Sequence, residues 1–404
     1  MQKALEGIRV IDLSHVLAAP TTTMFLADLG AEVIHLEPPQ GDDAREYGPF
    51  VGKPGKDRSG YFISLNRNKK SLVLNLKIEE GREILRDLIR VSDIVIENFR
   101  PTTMKKMGFG WEEIRKLNPR IIYAAISGFG HDSPTEYASR PSYDMVAQAY
   151  SGLMSITGPV GGPPCRVGSS VGDIIAGQQA VIGILAALAW REKTGRGQFY
   201  DGSMVDGLFS VLESAVARYT ITGKIPGPLG GAHPSITPFE AFRTKDSWII
   251  VAAGNDVLWG KLCRILGREE LIADRRFATN HLRTENQPEL SAILTAELVK
   301  RTTAEWIEVF EKQDIPYSRI NNIREICEDP IIAHRGMLAT VDQPDIGPVR
   351  IAGSPIRLSE TPGRVEGPAP RLGEHSEEVL RTVLGYDQDR IEALKARGVI
   401  HTGA

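Results

Sequence analysis

Through the first half of the chain, short runs of aliphatic and β-branched residues alternate with longer amphipathic stretches, and no other feature constrains the fold as strongly. Strands are predicted over 8–13, 32–37, 71–76, 93–96 and 120–126, each a compact apolar run. Between them, a loop over 14–20 leads into a helix ending near Gly30. A second helix over 78–91 places Ile78, Gly81, Ile84, Leu85 and Leu88 on one face, and a short one covers 111–117. Strand–helix–strand alternation of this kind predicts a parallel, doubly wound α/β sheet with helices on both faces.

The texture changes at residue 221. Glycine and proline become dense over 221–238, a linker or functional loop. A hairpin is predicted over 239–252, with its turn near Lys245-Asp246, and helices over 257–266, 289–300 and 304–313, where Trp306, Val309 and Phe310 share a face. Four segments follow: 1–220 as the N-terminal part of a large domain, 221–238 as the linker, 239–320 as a small α+β domain, and 321–404 as a return linker with the C-terminal part of the large domain. The stretch from 321 to Gly373 is rich in proline and glycine and reads as irregular. Such length is uncommon inside one compact domain and suits a segment lying on another domain or subunit. Two short helices are expected after it.

Composition excludes several function classes. A net charge of −3 gives no basic excess for nucleic acid. Cys165, Cys263 and Cys327 are widely separated and form neither a disulfide framework nor a metal-ligand pair, so a reducing cytoplasm is expected, with no metal. The N-terminal residues do not read as a secretory signal. The most apolar run, 174–190, contains Gly177, Gln178 and Gln179 and falls short of the ~20 residues that span a bilayer. It reads as a buried helix, with no membrane partner.

Several motifs carry chemistry in outline. Glu37 ends the second strand, where dinucleotide-binding folds place an acid for the ribose, but the G-x-G-x-x-G fingerprint is missing from the first turn. That turn carries His15 at the carboxyl end of a strand, where α/β sheets bind ligands. Gly168-Ser169-Ser170-Val171-Gly172 matches G-x-S-x-G in form, but the proline-rich segment before it makes a poor strand for a nucleophile elbow. Asp173 opens the apolar helix. It suits an N-cap, and it equally suits a carboxylate nucleophile held ionised by the helix dipole; the residues alone leave both open. Arg67, Lys69 and Lys70 precede one strand, while Arg100, Lys105 and Lys106 follow another, which suits a phosphate-bearing ligand as well as a solvated face.

Taken together, the segments 7–16, Leu29-Gly30-Ala31-Glu32-Val33-Ile34, Asn66-Arg67-Asn68-Lys69-Lys70-Ser71, Glu97-Asn98-Phe99-Arg100-Pro101, Asn118-Pro119-Arg120-Ile121-Ile122, 143–149, Gly172-Asp173, 193–198, His233-Pro234-Ser235, 253–256 and Leu372-Gly373-Glu374-His375 resemble family III CoA-transferases of the CaiB/BaiF type, in that family's order. The resemblance implies a Rossmann-like large domain built from both chain ends, a smaller α+β domain, and subunits interlocked as rings in a dimer. It implies CoA and acyl-CoA as substrates, a carboxylic acid as acceptor, and no tightly bound cofactor. Asp173 matches the family's nucleophile, which carries the acyl group as a mixed anhydride and then CoA as an aspartyl thioester. His15, Leu17 and Ala18 match a first CoA loop, Asn66, Arg67, Asn68 and Lys69 a second, and Asn98, Phe99, Arg100 and Lys106 a third. Arg140, Tyr143 and Asp144 match later contacts, while Gly230, Gly231 and His233 stand in the small-domain loop where the family has an unbroken glycine run.

The same resemblance extends to α-methylacyl-CoA racemases, but Tyr143 stands where they carry a histidine, and a phenol is a poor base near neutral pH. A non-catalytic CoA-binding subunit paired with a homologous chain is the remaining alternative, against which Asp173 speaks. Leu17, in place of a polar residue, and Pro38, in place of an arginine, depart from the formyl-CoA branch and suggest an acceptor larger than oxalate, dicarboxylic or aryl-substituted.

Overall fold

In the computed structural model, which describes residues 2–402, the chain forms two compact units. The first comprises the residues up to Leu153, Val167–Val216 and those from Pro330 onward; the second comprises Met154–Arg166 and Ala217–Asp329. The boundaries expected near 221 and 320 thus fall at 217 and 330, and the short segment 154–166 joins the second unit.

Twelve strands are assigned among the described residues: β1 Arg9–Asp12, β2 Glu32–Glu37, β3 Lys70–Leu74, β4 Ile94–Glu97, β5 Ile122–Ser127, β6 Phe199–Ser203, β7 Phe239–Arg243, β8 Trp248–Ala252, β9 Tyr317–Arg319, β10 Leu338–Gln343, β11 Gly347–Ala352 and β12 Ile400–His401. The large sheet runs β12-β3-β2-β1-β4-β5-β6, parallel throughout except for β12. Strand order therefore reverses between β1 and β4. In open α/β sheets a ligand crevice forms at such a switch point, outside the carboxyl ends of the strands.

Side-chain alternation divides the core. Val10, Ile94, Ile96, Ile122 and Ala124 pack on one face, against the helices Ala18–Asp28 and Val171–Thr194. Ile11, Ile34, Leu72, Val95 and Tyr123 pack on the other. There they meet Ile84, Leu85 and Leu88 of the helix Glu79–Arg90, and Val379, Leu380, Ile391 and Leu394 from the two C-terminal helices. Burial on both faces explains the unbroken apolar runs of the central strands.

The long helix approaches Ala18–Asp28 closely at Gly177. A Cβ there would stand 2.6 Å from the Ala18 carbonyl oxygen. The Thr22 hydroxyl donates to the Gly177 carbonyl at 3.0 Å across the same crossing. By length and composition this helix alone, among the described residues, could span a membrane. Its inner side, including Ala180, Ile184 and Ala187, is buried, while Ile182 and Trp190 on its outer side are exposed.

The second unit carries the antiparallel sheet β7-β8-β9 under helices Asp256–Leu266, Gln287–Leu298 and Thr303–Gln313. Trp259, Leu290, Trp306 and Phe310 form its core, while Val309 is only partly buried.

Two expectations need correction. The loop after β1 is shorter than 14–20: the helix begins at Ala18 and takes Pro20 into its first turn, where the missing N–H costs nothing. The stretch 321–373 is not irregular throughout, since it holds helices Ile323–Glu328 and Pro330–His334 and the hairpin β10–β11. The structure adds strand β6, whose apolar pattern Asp201 and Gly202 interrupt, and β12, whose two residues carry no period.

Candidate active site

The loops leaving β1 and β4 meet at the switch point through a reciprocal pair of hydrogen bonds. The His15 N–H donates to Asn98 Oδ1 at 2.9 Å, and Asn98 Nδ2 donates to the His15 carbonyl at 2.8 Å. Phe99 sets its ring edge-on to His15, 4.7 Å between centroids, and Glu97 holds the Phe99 N–H at 2.7 Å. Burial holds His15 below the ordinary imidazole range despite the opposing charge of Asp42, so the ring is neutral at pH 7. Val16 adopts φ 64°, a strained conformation for a β-branched residue, and its N–H is held by the Asp42 carboxylate.

A cavity of about 360 Å³ opens beside these loops. Its walls bring together His15, Leu17, Ala18, Asn98, Phe99, Arg100, Arg140, Tyr143 and Asp173 of the residues singled out from sequence. Val16, Asp43, Thr103, Ser127, Gly128, Ser142 and Met204 are among its other lining residues. Gly128 is required there, because a Cβ would lie 2.2 Å from that of Ser142. A second cavity of about 500 Å³ shares His15, Phe99 and Thr103 with the first. It continues over Leu13, Leu36, Pro38, Leu74 and Met107, with Lys77 and Arg82 as its cations.

Asp173 is the third residue of the long helix, not its N-cap; Ser170 holds that position without a side-chain bond. The helix terminus does not keep its carboxyl unusually acidic either. Burial, with the charge of Asp144 second, pushes its pKa up to about 7. Asp144 is fixed by the Gly172 N–H at 2.8 Å and by Gln148 Nε2 at 2.8 Å. A Cβ at Gly172 would crowd Asp144 Oδ1 at 3.0 Å, which explains glycine immediately before Asp173. The same bond occupies the Gly172 N–H. Tyr61 lies near enough that the charge of Asp173, after burial, helps raise its phenol to about 12. Nothing in the sequence around Tyr61 singled it out.

The second predicted loop is elsewhere. Arg67 is buried on Asp28, Nε to Oδ1 at 3.0 Å and Nη2 to Oδ2 at 2.7 Å. Lys69 is buried on Asp12 at 3.1 Å and Asn66 at 2.8 Å. Asn68 binds Asp28 and the backbone of 364–367, and Asn66 Nδ2 donates to the Phe62 carbonyl. None of the four lines either cavity, and neither does exposed Lys106. Glu37 does line the second cavity, but its carboxylate is engaged with Arg45 and Ser71. Gly230, Gly231 and His233 lie in the second unit, where Gly230 donates to the Gly158 carbonyl and His233 stacks on Phe239. No group of three metal-ligating side chains occurs among the described residues.

A crevice at the switch point of a nucleotide-type sheet, walled on one side by a helix-borne carboxylate with a near-neutral pKa, defines an α/β enzyme of the group-transfer kind. The chain belongs to CoA-transferase family III, whose model it matches over residues 5–376. It is 41% identical over 400 residues to the mouse (Mus musculus) succinyl-CoA:glutarate CoA-transferase, covering 98% of this chain and 90% of that one. It is 42% identical over 372 residues to the acetyl-CoA:oxalate CoA-transferase of Acetobacter aceti, 91% and 93% of the two chains. Its fold is similar to a crystal structure of a CaiB/BaiF family protein from Brucella suis, at TM-score 0.82 and 36% identity, over 94% of this chain and 99% of that one.

Proposed function

We propose that this protein transfers CoA from an acyl-CoA to a dicarboxylic acid, with Asp173 as the covalent carrier. The supporting observation is the placement of Asp173 in the wall of the switch-point cavity, with no cation ion-paired to it among the described residues and with a pKa near neutrality. Its carboxylate attacks the thioester carbonyl, the C–S bond breaks, and CoA leaves as thiolate, giving a mixed anhydride. The thiolate then attacks the aspartyl carbonyl and releases the donor acid, leaving an aspartyl-CoA thioester. The acceptor carboxylate reverses both steps and departs as its own CoA thioester. Each exchange conserves an activated acyl bond, so no ATP or metal is consumed.

CoA fits the paired cavities as substrate, with the acyl end at Asp173 and the nucleotide end toward Leu36, Leu74, Lys77 and Arg82. Arg100 and Arg140 supply positive charge along the first cavity. Relatives acting on glutarate and oxalate support a dicarboxylate acceptor. Leu17 in the wall favours one with a methylene spacer, which can bury apolar surface there worth about 1 kcal/mol per CH₂. A homodimer with interlocked subunits is part of this reading, supported by the exposed Ile182 and Trp190 on the long helix, and so is a cytoplasmic location.

The test is an exchange assay of the full-length protein with succinyl-, acetyl- and formyl-CoA against dicarboxylic and monocarboxylic acids, with hydroxylamine trapping during turnover. Modification of Asp173 and turnover of a C4–C5 dicarboxylate are expected. Turnover without any adduct at Asp173 would refute the covalent route, and a preference for oxalate by kcat/KM would refute the role given to Leu17.

A further inference from the structure

Beneath the first cavity lies a buried charge relay that the transfer chemistry does not use. Asp12 and His35 face one another across the β1–β2 ladder, and both are completely buried. His35 Nδ1 stands 3.3 Å from Asp12 Oδ2, and its Nε2 stands 3.7 Å from Asp42 Oδ2. Neither ring nitrogen makes a hydrogen bond of good geometry. The ring therefore acts on the two carboxylates by charge more than by directed bonding. Desolvation would strip the proton from this imidazole, but the carboxylates of Asp12, Asp42 and Glu37 outweigh it and raise the pKa to about 9.

The two acids differ in what else supports them. Asp12 has a second cation, Lys69 at 3.1 Å, and accepts from Ser14 and Thr23. Asp42 is also buried, yet among the described residues His35 is the one cationic side chain within ion-pair distance of it. Its remaining partners are backbone: the Ala44 N–H at 2.9 Å and the Val16 N–H at 3.2 Å. Val16 is the strained residue at φ 64°, and it immediately precedes Leu17 and Ala18 in the cavity wall. A β-branched residue stays in that conformation only while its surroundings over-determine it.

We propose that His35 is a positioning residue, an imidazolium that keeps Asp42 ionised so that its carboxylate holds Val16 in the strained turn and sets Leu17 and Ala18 against the bound thioester. The activity half of this inference rests on the CoA-transfer reading; the geometric half does not. Loss of the His35 charge lets buried Asp42 take up a proton, weakens its grip on the Val16 N–H, and allows the turn to relax out of the left-handed region.

The experiment compares full-length wild type, His35→Gln, Asp42→Asn, Val16→Gly and the double variant His35→Gln/Val16→Gly, with kcat and KM normalised to folded protein, and crystal structures of the two acid–base variants. Displacement of the wall by a fraction of an ångström should cost His35→Gln roughly 10- to 100-fold in kcat, with KM for the acyl-CoA changed by less than about threefold. Glycine at position 16 adopts positive φ freely, so the double variant should recover at least about threefold of that loss. A role confined to stability would lower the melting temperature but leave normalised kcat intact, and glycine would restore nothing; that result overturns the proposal. Should His35→Gln fail to fold, Asp42→Asn carries the same kinetic expectation. Should wild type transfer no CoA, the functional reading fails while the crystallographic arm still decides: Val16 remaining near its present φ in His35→Gln or Asp42→Asn refutes the relay.

Discussion

Two loops of the large unit were singled out as CoA contacts on similar grounds, and they behave oppositely. The loop after β4 presents Asn98, Phe99 and Arg100 to a cavity. The segment 66–69 before β3 turns Asn66, Arg67 and Lys69 inward, where each meets a buried partner. Both are polar, both flank strands of the same sheet, and both contain arginine. The difference lies in what waits beneath them. Asp28 and Asp12 are buried carboxylates that need counter-charges, and Arg67 and Lys69 supply them. No such acid is ion-paired with Arg100 or Arg140 among the described residues, so those guanidiniums remain available to a ligand. A cation near a strand end is thus free for a ligand only where the fold has not already claimed it.

The comparison can be broken most sharply at the cavity itself. Asp173→Ala should reduce CoA transfer by at least about 10⁴-fold, as loss of a covalent nucleophile does, while folding and CoA binding persist. Exchange kinetics with a binding titration on the same sample check it, and a rate within tenfold of wild type would remove Asp173 from the chemistry.

The arginines sharpen the comparison next. Arg67→Ala leaves Asp28 buried without its partner and should cost about 3–5 kcal/mol of stability, read by denaturant unfolding, with little change in KM for the folded fraction. Arg100→Ala and Arg140→Ala should do the reverse, raising KM for the acyl-CoA about tenfold at unchanged unfolding midpoint, a loss of ~1.4 kcal/mol each. An equal effect of all three on KM would erase the distinction between the loops.

Gly177 ties the two walls of the cavity together, since the helices bearing Ala18 and Asp173 touch there. Gly177→Ala drives a Cβ toward the Ala18 carbonyl and should cost about 1–3 kcal/mol. Its kcat should fall more than its KM rises, because the wall moves relative to the nucleophile. Stability and kinetics measured together decide whether the crossing matters to the site or to the core alone.

The smallest effect is in the pH dependence. The attacking form of Asp173 is the carboxylate, so turnover should fall as pH drops through about 7. Its folded pKa lies above the unfolded value of 3.8, so the native state binds the extra proton between the two values. By linkage this group costs stability progressively as pH rises from about 4 to 7 and most above it. Asp173→Asn should therefore raise the melting temperature by roughly 2 °C at pH 8 and by less at pH 5. Asp144→Asn, by removing the like charge, should move the acid limb of the rate profile to lower pH.

Legibility followed the range of the interactions. The amphipathic face of the helix Glu79–Arg90 and the hairpin β7–β8 were readable because each depends on periodicity within a dozen residues. The two-residue β12 has no period of its own and exists only because β3 offers an edge. Asp173 and His15 were recognisable as polar residues at helix and strand ends, and Asn98 through the family resemblance. The engagement of Lys69 with Asp12, 57 residues away in sequence, was not. Tyr61, Lys77 and Arg82 gave no motif at all, although the rule that ligands gather beyond the carboxyl ends of strands could have pointed to the last two, just after β3.

By itself the sequence determined the alternation of strands and helices, the doubly wound sheet it implies, and the family to which the segments belong, because those depend on local propensity, periodicity and matched residue types. Tertiary structure alone decided which polar residues face the cavity, the near-neutral pKa of Asp173, and the left-handed turn at Val16. Each of these depends on burial and on charges brought together from distant parts of the chain, and neither dielectric nor long-range pairing has a signature in the order of residues.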